Sequence, residues 1–530
     1  MTDNWRTIPT KAGVLAAHAA LLHTGKIIYF SGNEYDQSRH DQGDFDHTRL
    51  FDCDTLRVTR AASPGTDVFC CGHALLEDGR LLVAGGTEAF PFEVEGMHHI
   101  HFPGLRDAWL FSAGSEEWVK AADMNFQPGR LRTGGGRWYP TLVTLGTGEV
   151  AAMSGHPSAD DTRASHDNQS PETFSQSPLP AGSWTQRGPN QDEIRTKSYY
   201  PRLHVLPDGQ VFSSTPLLSN MNASWSPISQ QWHPVCEEPP DGLYQNGYGA
   251  SSVMLPLLAD QGYRPRILWL GAAQPRILDL SDSNPEWVPT APRTLDGTPE
   301  RQNVNAVLLP TGEVFVCGGI EATFDADGNY QSLDADAVLA AECYKPATDQ
   351  WVTLPAAQVA RNYHSVALLM PDGRVWTAGS SIDAARGAEH AQQQIEIYEP
   401  AYYRETRPEV IGPLPTAVNY GATFALFSPQ ASTVTEVVMV RAGSVTHSFN
   451  SDQRLVGIDF HRRDNLRLGA QELLITAPPD GSIAPPGYYL LFLLNEHKIP
   501  SLGHFVQVGY QSTRYNTAST PAVLDVLLGL

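Results

Sequence analysis

Basic residues are scarce in this chain. Only 36 Lys and Arg stand against 58 Asp and Glu, for a formal net charge of −22 and a pI near 5.2. Nothing offers a basic stripe for phosphates, which argues against non-specific nucleic-acid binding, and the acidic surplus mainly serves solubility. Cysteine is sparse too. The six residues Cys53, Cys70, Cys71, Cys236, Cys317 and Cys343 are scattered apart from one adjacent pair, too few for a disulfide framework in 530 residues. Long apolar runs are missing: the mostly apolar segment from Gly13 to Leu22 is interrupted by His18, and neither a secretory h-region nor a run of bilayer length follows. The expectation is a monomer with no signal peptide or transmembrane segment, either secreted in mature form or cytoplasmic. Stretches of helical period are also few.

What the chain does have is turn chemistry. With 45 Gly, 40 Pro and only 18% charged residues, it suits a turn-dense β protein. Its length allows two domains, or one large repeat fold with an appendage. A repeat is visible: an apolar strand, a tight turn carrying Gly, and a second apolar strand ending in small or glycine-rich residues. It runs from Ala19 to Gly32 around Gly25, from Ala74 to Gly86 around Gly79, from Leu142 to Gly155 around Gly148 and from Leu203 to Ser213 around Gly209. A looser copy with a longer insert spans Ser251 to Gly271, and clean copies return at Ala306 to Gly319 and Val366 to Gly379. The turn glycine supplies the positive φ that a short hairpin needs. Most intervals hold a further strand pair marked by a tryptophan: Trp118, Trp184, Trp232, Trp287 and Trp351.

Four strands per interval, at roughly 50 to 70 residues per copy, match a kelch-type β-propeller blade. The predicted fold is all-β, with a seven-bladed propeller over residues 1–407. After Pro408 the pattern changes. Val418 to Phe427, Thr435 to Arg441, Leu455 to Phe460, Glu472 to Ala477 and Tyr488 to Leu494 alternate or run apolar at strand length between Pro and Gly clusters, which predicts an immunoglobulin-like sandwich over 408–510. Gly509 to Leu530 reads as a terminal strand and a tail packing back on the body, with the tail proper at 511–530.

A propeller hosts enzymes and interaction modules alike, so function has to come from particular residues. Four stretches are too polar or too awkward for plain strands: Phe69-Cys70-Cys71-Gly72-His73, Gly136-Arg137-Trp138-Tyr139-Pro140, Asn362-Tyr363-His364-Ser365, and Thr446 to Arg454. Adjacent side chains on an extended strand face opposite ways, so Tyr363 and His364 can serve one site only where a strand begins. The first three stretches precede the first strand of a repeat, places that lie on one ring around a propeller axis. Two imidazoles and two phenolates make a tetragonal N,O set suited to Cu(II), with a position left for water or substrate. A thiol beside one phenol adds an option: an ortho thioether bond would lower the phenol's oxidation potential and let it hold a radical. Taken singly, Cys70 reads as a small buried hydrophobe and Tyr139 as a strand aromatic. Their conjunction is what carries weight.

On these motifs, with Arg361 before Tyr363 and the run Pro485-Pro486-Gly487-Tyr488-Tyr489 near the end, the chain resembles the copper radical oxidases, the galactose oxidase and glyoxal oxidase family. The Arg137-Trp138-Tyr139 form, with no N-terminal carbohydrate-binding sandwich, makes it more similar to the glyoxal oxidase branch. The resemblance implies that Cys70 is cross-linked to Tyr139, which is a copper ligand and the radical site. It implies Tyr363 as axial ligand and base, and His364 and His447 as the imidazole ligands, His447 being brought by a hairpin from Val445 to Gln453 of the second domain. Cys71, next to the expected thiol, could compete. The implied cofactors are one copper ion and the Cys-Tyr radical, and the implied partners are a small alcohol or aldehyde and dioxygen, the products being an oxidised carbonyl compound and hydrogen peroxide. The rival reading is a kelch scaffold that binds a partner at the propeller mouth. A metal-dependent lyase or hydrolase would call for paired acids beside the motifs, and none are found. Weaker candidates are the Met97 to His101 tract, Trp138, Trp225 and Tyr248 as pocket or shielding residues, and Arg301 as a binder of polar substrate.

Overall fold

A computed structural model of the chain describes residues 3–34, 36–90, 102–125, 135–158, 168, 171–187, 199–218, 221–239, 249–295, 301–321, 323–324, 330–331, 336–381, 391–467 and 470–509. The fold is all-β, as expected: among these residues the one α-helix is the short Gln37–Gln42. It begins on Asp36, whose carboxylate accepts from the Ser38 and Arg39 amides, and ends on left-handed Gly43. Among the described residues no helix is long and apolar enough to cross a membrane.

Each repeat forms an antiparallel meander. The first is His18–Leu21, Lys26–Phe30, Thr48–Asp52 and Val58–Arg60; the second is Gly72–Leu75, Leu81–Ala84, Ala108–Ser112 and Glu117–Lys120. The third to sixth meanders start at the strands Thr141–Thr144, Leu203–Val205, Ser251–Met254 and Asn305–Leu308. The seventh is Ser365–Leu369, Val375–Gly379 and Gln394–Glu399, completed by the N-terminal strand Asn4–Lys11, which pairs antiparallel with Gln394–Glu399. The hairpin turns work as the repeat requires: Gly79 and Gly373 sit at φ +83° and +85°, a region closed to most side chains.

All five marker tryptophans fall on the fourth strand of a meander. There an aromatic ring can cover the sheet edge and seal it against its neighbour. Trp5 on the N-terminal strand is the same signal in the seventh meander, packing at 5.3 Å on Tyr398 and 5.9 Å on Phe315 of the sixth. First strands are three to five residues long and buried throughout, so they read as continuous apolar runs rather than alternations. The insert of the fifth repeat also has a purpose. Its Leu257–Leu258 pairs in parallel with Val456 and Gly457, adding an edge strand to a sheet of the body beyond residue 408.

Beyond residue 408 two sheets enclose a core of their own, built from Val437, Met439, Leu473, Ile475, Leu491 and Val506 among others. One carries Leu455–Ile458, Val434–Arg441, Gly487–Asn495, His504–Val508 and Ala417–Val418; the other carries Thr423–Ser428, Ala470–Thr476 and Phe460–Arg467. Two expected strands are therefore divided: Val418–Phe427 breaks around Gly421, and Leu455–Phe460 breaks at Asp459. The last strand closes at Val508, ahead of the predicted Gly509, and residues 510–530 lie outside the described set.

From this second body a hairpin, Ser444–Thr446 and Phe449–Asn450, lies against the first strands of the meanders and pairs with His18–Ala20 of the first. Its groups then reach meander after meander. Asp452 accepts from the Leu75 amide at 2.7 Å, Arg202 donates to the His447 carbonyl at 2.7 Å, Ser251 donates to the Ser448 carbonyl, and Gln453 bonds the backbone of Ala306 and Leu308. Asp452 also pairs with Arg441 at 3.2 Å, both side chains being almost wholly buried. Removing the carboxylate strands a buried guanidinium, so Asp452→Ala is expected to lower stability by about 3–5 kcal/mol in denaturant unfolding. A loss below about 1 kcal/mol, the range of an exposed pair, would show that the ion pair does not hold the hairpin.

Candidate active site

The hairpin carries His447 to the place where three loop ends meet. Cys70 lies two residues before the second meander, Tyr139 two before the third, and Tyr363-His364 immediately before the seventh. Cys70, Tyr139, His364 and His447 all hold left-handed backbone, at φ +60°, +66°, +62° and +46°. For bulky residues this conformation is costly and persists only where the surroundings enforce it. Here the Tyr139 amide bonds the Cys70 carbonyl at 2.9 Å, the Tyr200 amide bonds the Tyr139 carbonyl at 2.9 Å, and Gly379 packs so close to the His364 carbonyl that a Cβ would sit 2.4 Å from it. The turn lets Tyr363 and His364 share one side despite being neighbours in sequence.

The five predicted residues are brought together. The hydroxyls of Tyr139 and Tyr363 hydrogen-bond each other. The ring of His447 lies 4.8 Å from Tyr139, 5.3 Å from Tyr363 and 4.7 Å from His364, the two imidazoles standing perpendicular. One ligand atom each from Cys70, His364 and His447 fall within 4.8 Å of one another. All five are buried: Cys70, Tyr139, His364 and His447 are at most 2% exposed, and Tyr363 is 8% exposed.

Burial drives both imidazoles to the neutral form, His364 to about 3 and His447 well below its ordinary value. Burial likewise pushes the Cys70 thiol up, opposed by a hydrogen bond with Tyr139. That bond aims the thiol at the phenol. Cys71 turns elsewhere, its sulfur lying 4.0 Å from His18 Nδ1.

The donor set fits a copper ion. Two phenol oxygens and two neutral imidazoles are the ligand types Cu(II) takes in tetragonal geometry. His447 Nε2 is buried with no hydrogen-bond partner among the described residues, a waste unless a ligand meets it. Its tautomer is fixed from behind: Thr446 Oγ1 donates to the Ala17 carbonyl at 2.9 Å and so must accept from His447 Nδ1–H at 2.7 Å, leaving the Nε2 lone pair outward. On the other imidazole, Ser381 Oγ bonds His364 Nδ1 at 2.9 Å. Thr446→Val is expected to weaken copper binding about 10–100-fold in competition with a chelator, with Thr446→Ser restoring it. Unchanged affinity would remove Thr446 from this role.

Sequence reasoning missed Tyr199 and Tyr200. Tyr200 stacks on His447 at 4.3 Å and tilts over Tyr139 at 4.7 Å, and its hydroxyl donates to the Cys71 carbonyl. The signal was present, since Tyr200-Pro201 before the fourth meander repeats Tyr139-Pro140 before the third. Trp138 stacks face to face on Tyr139 at 3.9 Å and 8°, in line with a shielding role. Trp225 instead fills the core between the third and fourth meanders. Arg301 is no substrate ligand: its guanidinium is buried and bonded to Glu342 and to the carbonyls of Gly318 and Ala340. Tyr248 and Met97 to His101 lie outside the described residues.

Comparison with known proteins agrees with this geometry. Residues 407–508 match the family described as galactose oxidase-like, early set domain. The aldehyde oxidase GLOX of Vitis pseudoreticulata is 27% identical over 96% of this chain and 97% of that protein. Galactose oxidase of Gibberella zeae is 22% identical over 93% of this chain and 69% of its own length. Among solved structures, a fungal alcohol oxidase of the AA5 family in complex with copper superposes at a TM-score of 0.74, covering 96% of this chain and all of that one; at 22% identity this likeness speaks for the fold. Over nearly its whole length the chain is similar to galactose oxidase and to the GLOX aldehyde oxidases, and its residues 407–508 match the galactose oxidase-like early set domain.

Proposed function

We propose that the chain is a copper radical oxidase that converts a primary alcohol to an aldehyde, or a hydrated aldehyde to a carboxylic acid, while reducing dioxygen to hydrogen peroxide. The architecture that goes with this is a seven-bladed propeller over residues 1–407, its last blade closed by the N-terminal strand, then an immunoglobulin-like sandwich over 408–510 and a tail over 511–530. One observation carries the functional reading: two phenols, two neutral imidazoles and a thiol from four separate segments converge in a buried centre. A partner-binding scaffold has no use for that set, and the relatives named aldehyde oxidase and galactose oxidase support the reaction class.

The residues divide the work. Tyr139, Tyr363, His364 and His447 are the ligands. Copper bound there supplies a Lewis-acidic position for the substrate oxygen and accepts or returns one electron. Tyr363, the most exposed of the five, meets the substrate and takes its hydroxyl proton. Tyr139, joined to Cys70 by a thioether and covered by Trp138, holds the radical and removes a hydrogen atom from the substrate carbon. The substrate thus loses two electrons and two protons, and dioxygen receives both pairs as hydrogen peroxide.

The test is peroxide release from copper-loaded protein offered a panel of primary alcohols and aldehydes in aerated buffer. Release above the copper-free control is expected. Silence across the panel from fully loaded protein would overturn the reading.

A further inference from the structure

His447 stands on an awkward turn. Thr446 pairs with Phe449, so His447 and Ser448 alone connect the two strands of the hairpin, and both hold positive φ, at +46° and +64°. A two-residue turn of that form is ordinarily built from Asn-Gly or Gly-Gly, because a Cβ there crowds the following carbonyl oxygen. An imidazole and a hydroxymethyl in succession make the conformation costly, and it persists only where the surroundings enforce it. Here they do so by holding both carbonyls of the turn: Arg202 donates to that of His447 at 2.7 Å, and Ser251 to that of Ser448.

Arg202 is 1% exposed, and its position is unlike that of the other buried arginines. Arg137, Arg301 and Arg361, ahead of the third, sixth and seventh meanders, bond groups of their own meanders. Arg202, directly ahead of the fourth, reaches outward instead. Besides the His447 carbonyl it bonds the Ala250 carbonyl through Nε at 2.8 Å and the Tyr200 carbonyl through Nη1 at 3.0 Å, and its guanidinium lies 5.4 Å over the Phe449 ring. One planar fork therefore ties the ligand turn to Tyr200, whose own ring stacks on the His447 imidazole at 4.3 Å, and to the entry of the fifth meander. We propose that Arg202 is a positioning residue of the oxidase centre, its guanidinium holding the strained His447-Ser448 turn so that the His447 imidazole is aimed into the cluster of Cys70, Tyr139, Tyr363 and His364. Thr446 fixes which imidazole nitrogen carries the proton; Arg202 fixes where the backbone that bears the imidazole stands.

The assignment rests on the copper reading of the centre, and Cu(II) affinity measured in competition with a chelator tests the two separately. Arg202→Gln is expected to weaken copper binding about 10–100-fold, the usual cost of losing a group that orients a metal ligand. Arg202→Lys keeps the charge and the stem but not the fork, and is expected to lose less. It also keeps the test open should Arg202→Gln fail to fold. The decisive variant is Ser448→Gly added to Arg202→Gln. Glycine adopts positive φ without the Cβ penalty, so the turn needs less holding, and about tenfold of the lost affinity should return. An arginine that only packs the fourth meander against the fifth would lower the melting temperature while copper affinity stayed put, and Ser448→Gly would change nothing. Wild-type affinity in both Arg202 variants, a loss that Ser448→Gly does not lessen, or failure of both variants to fold, which would make Arg202 a support of the fold and not of the site, overturns the assignment. No copper uptake by the wild-type protein overturns the copper reading itself.

Discussion

Tyr139→Phe is expected to lower peroxide production by at least about 10⁴-fold, the scale on which removing one member of a set that acts as a unit is felt. The substitution is nearly silent structurally. Phe keeps the stack on Trp138 and the edge contact with Tyr199, so the protein should fold and melt close to wild type. What it removes is the hydroxyl bonded to Tyr363 and to the Cys70 thiol, and with it the metal ligand, the cross-link and the radical of the proposed mechanism. Copper should still bind through Tyr363, His364 and His447, at lower affinity. Wild-type turnover in this variant would remove Tyr139 from the reaction.

Tyr363→Phe tests the other phenol, and its expected signature differs. Loss of a positioned proton acceptor lowers turnover by about 10²–10⁴-fold. Tyr139 and Cys70 remain neighbours, so the cross-link should still form. A tyrosine acting only as packing would lose stability on substitution and little activity. Measuring kcat together with the mass of the joined peptide distinguishes a base from a filler. Cross-link present with kcat down is the predicted pair of results, whereas unchanged kcat would move the proton to another group.

Much of this was legible in the sequence because the fold repeats. A glycine turn between two apolar runs fixes a hairpin locally, and recurrence identifies the meander without tertiary information. The site was legible for a related reason. Polar, aromatic and thiol side chains just ahead of buried first strands break the local pattern, and such breaks concentrate where function is installed.

What stayed hidden depends on distance. Asn4–Lys11 completes the seventh meander from the far end of the chain, and its period does not reveal a partner nearly four hundred residues away. Phe460–Arg467 forms a strand although it carries His461, Arg462 and Arg463, because its place at the edge of a three-stranded sheet leaves that charge exposed to solvent. Arg301 looked like a site residue because a lone arginine before a strand does not display its acceptors; Glu342 supplies them from a strand about forty residues on. Thr446 could be read as part of a motif, but its role as the lock on the His447 tautomer needed the Ala17 carbonyl opposite.

The central claim is that Cys70 and Tyr139 form one redox group. Peptide mass spectrometry after aerobic copper loading tests it most directly. The predicted result is a joined species containing the Cys70 and Tyr139 peptides, lighter by two hydrogens than their sum, absent without copper and absent in Tyr139→Phe. Fully copper-loaded protein in which the two peptides remain separate, or in which Cys71 is the cysteine joined, would contradict it.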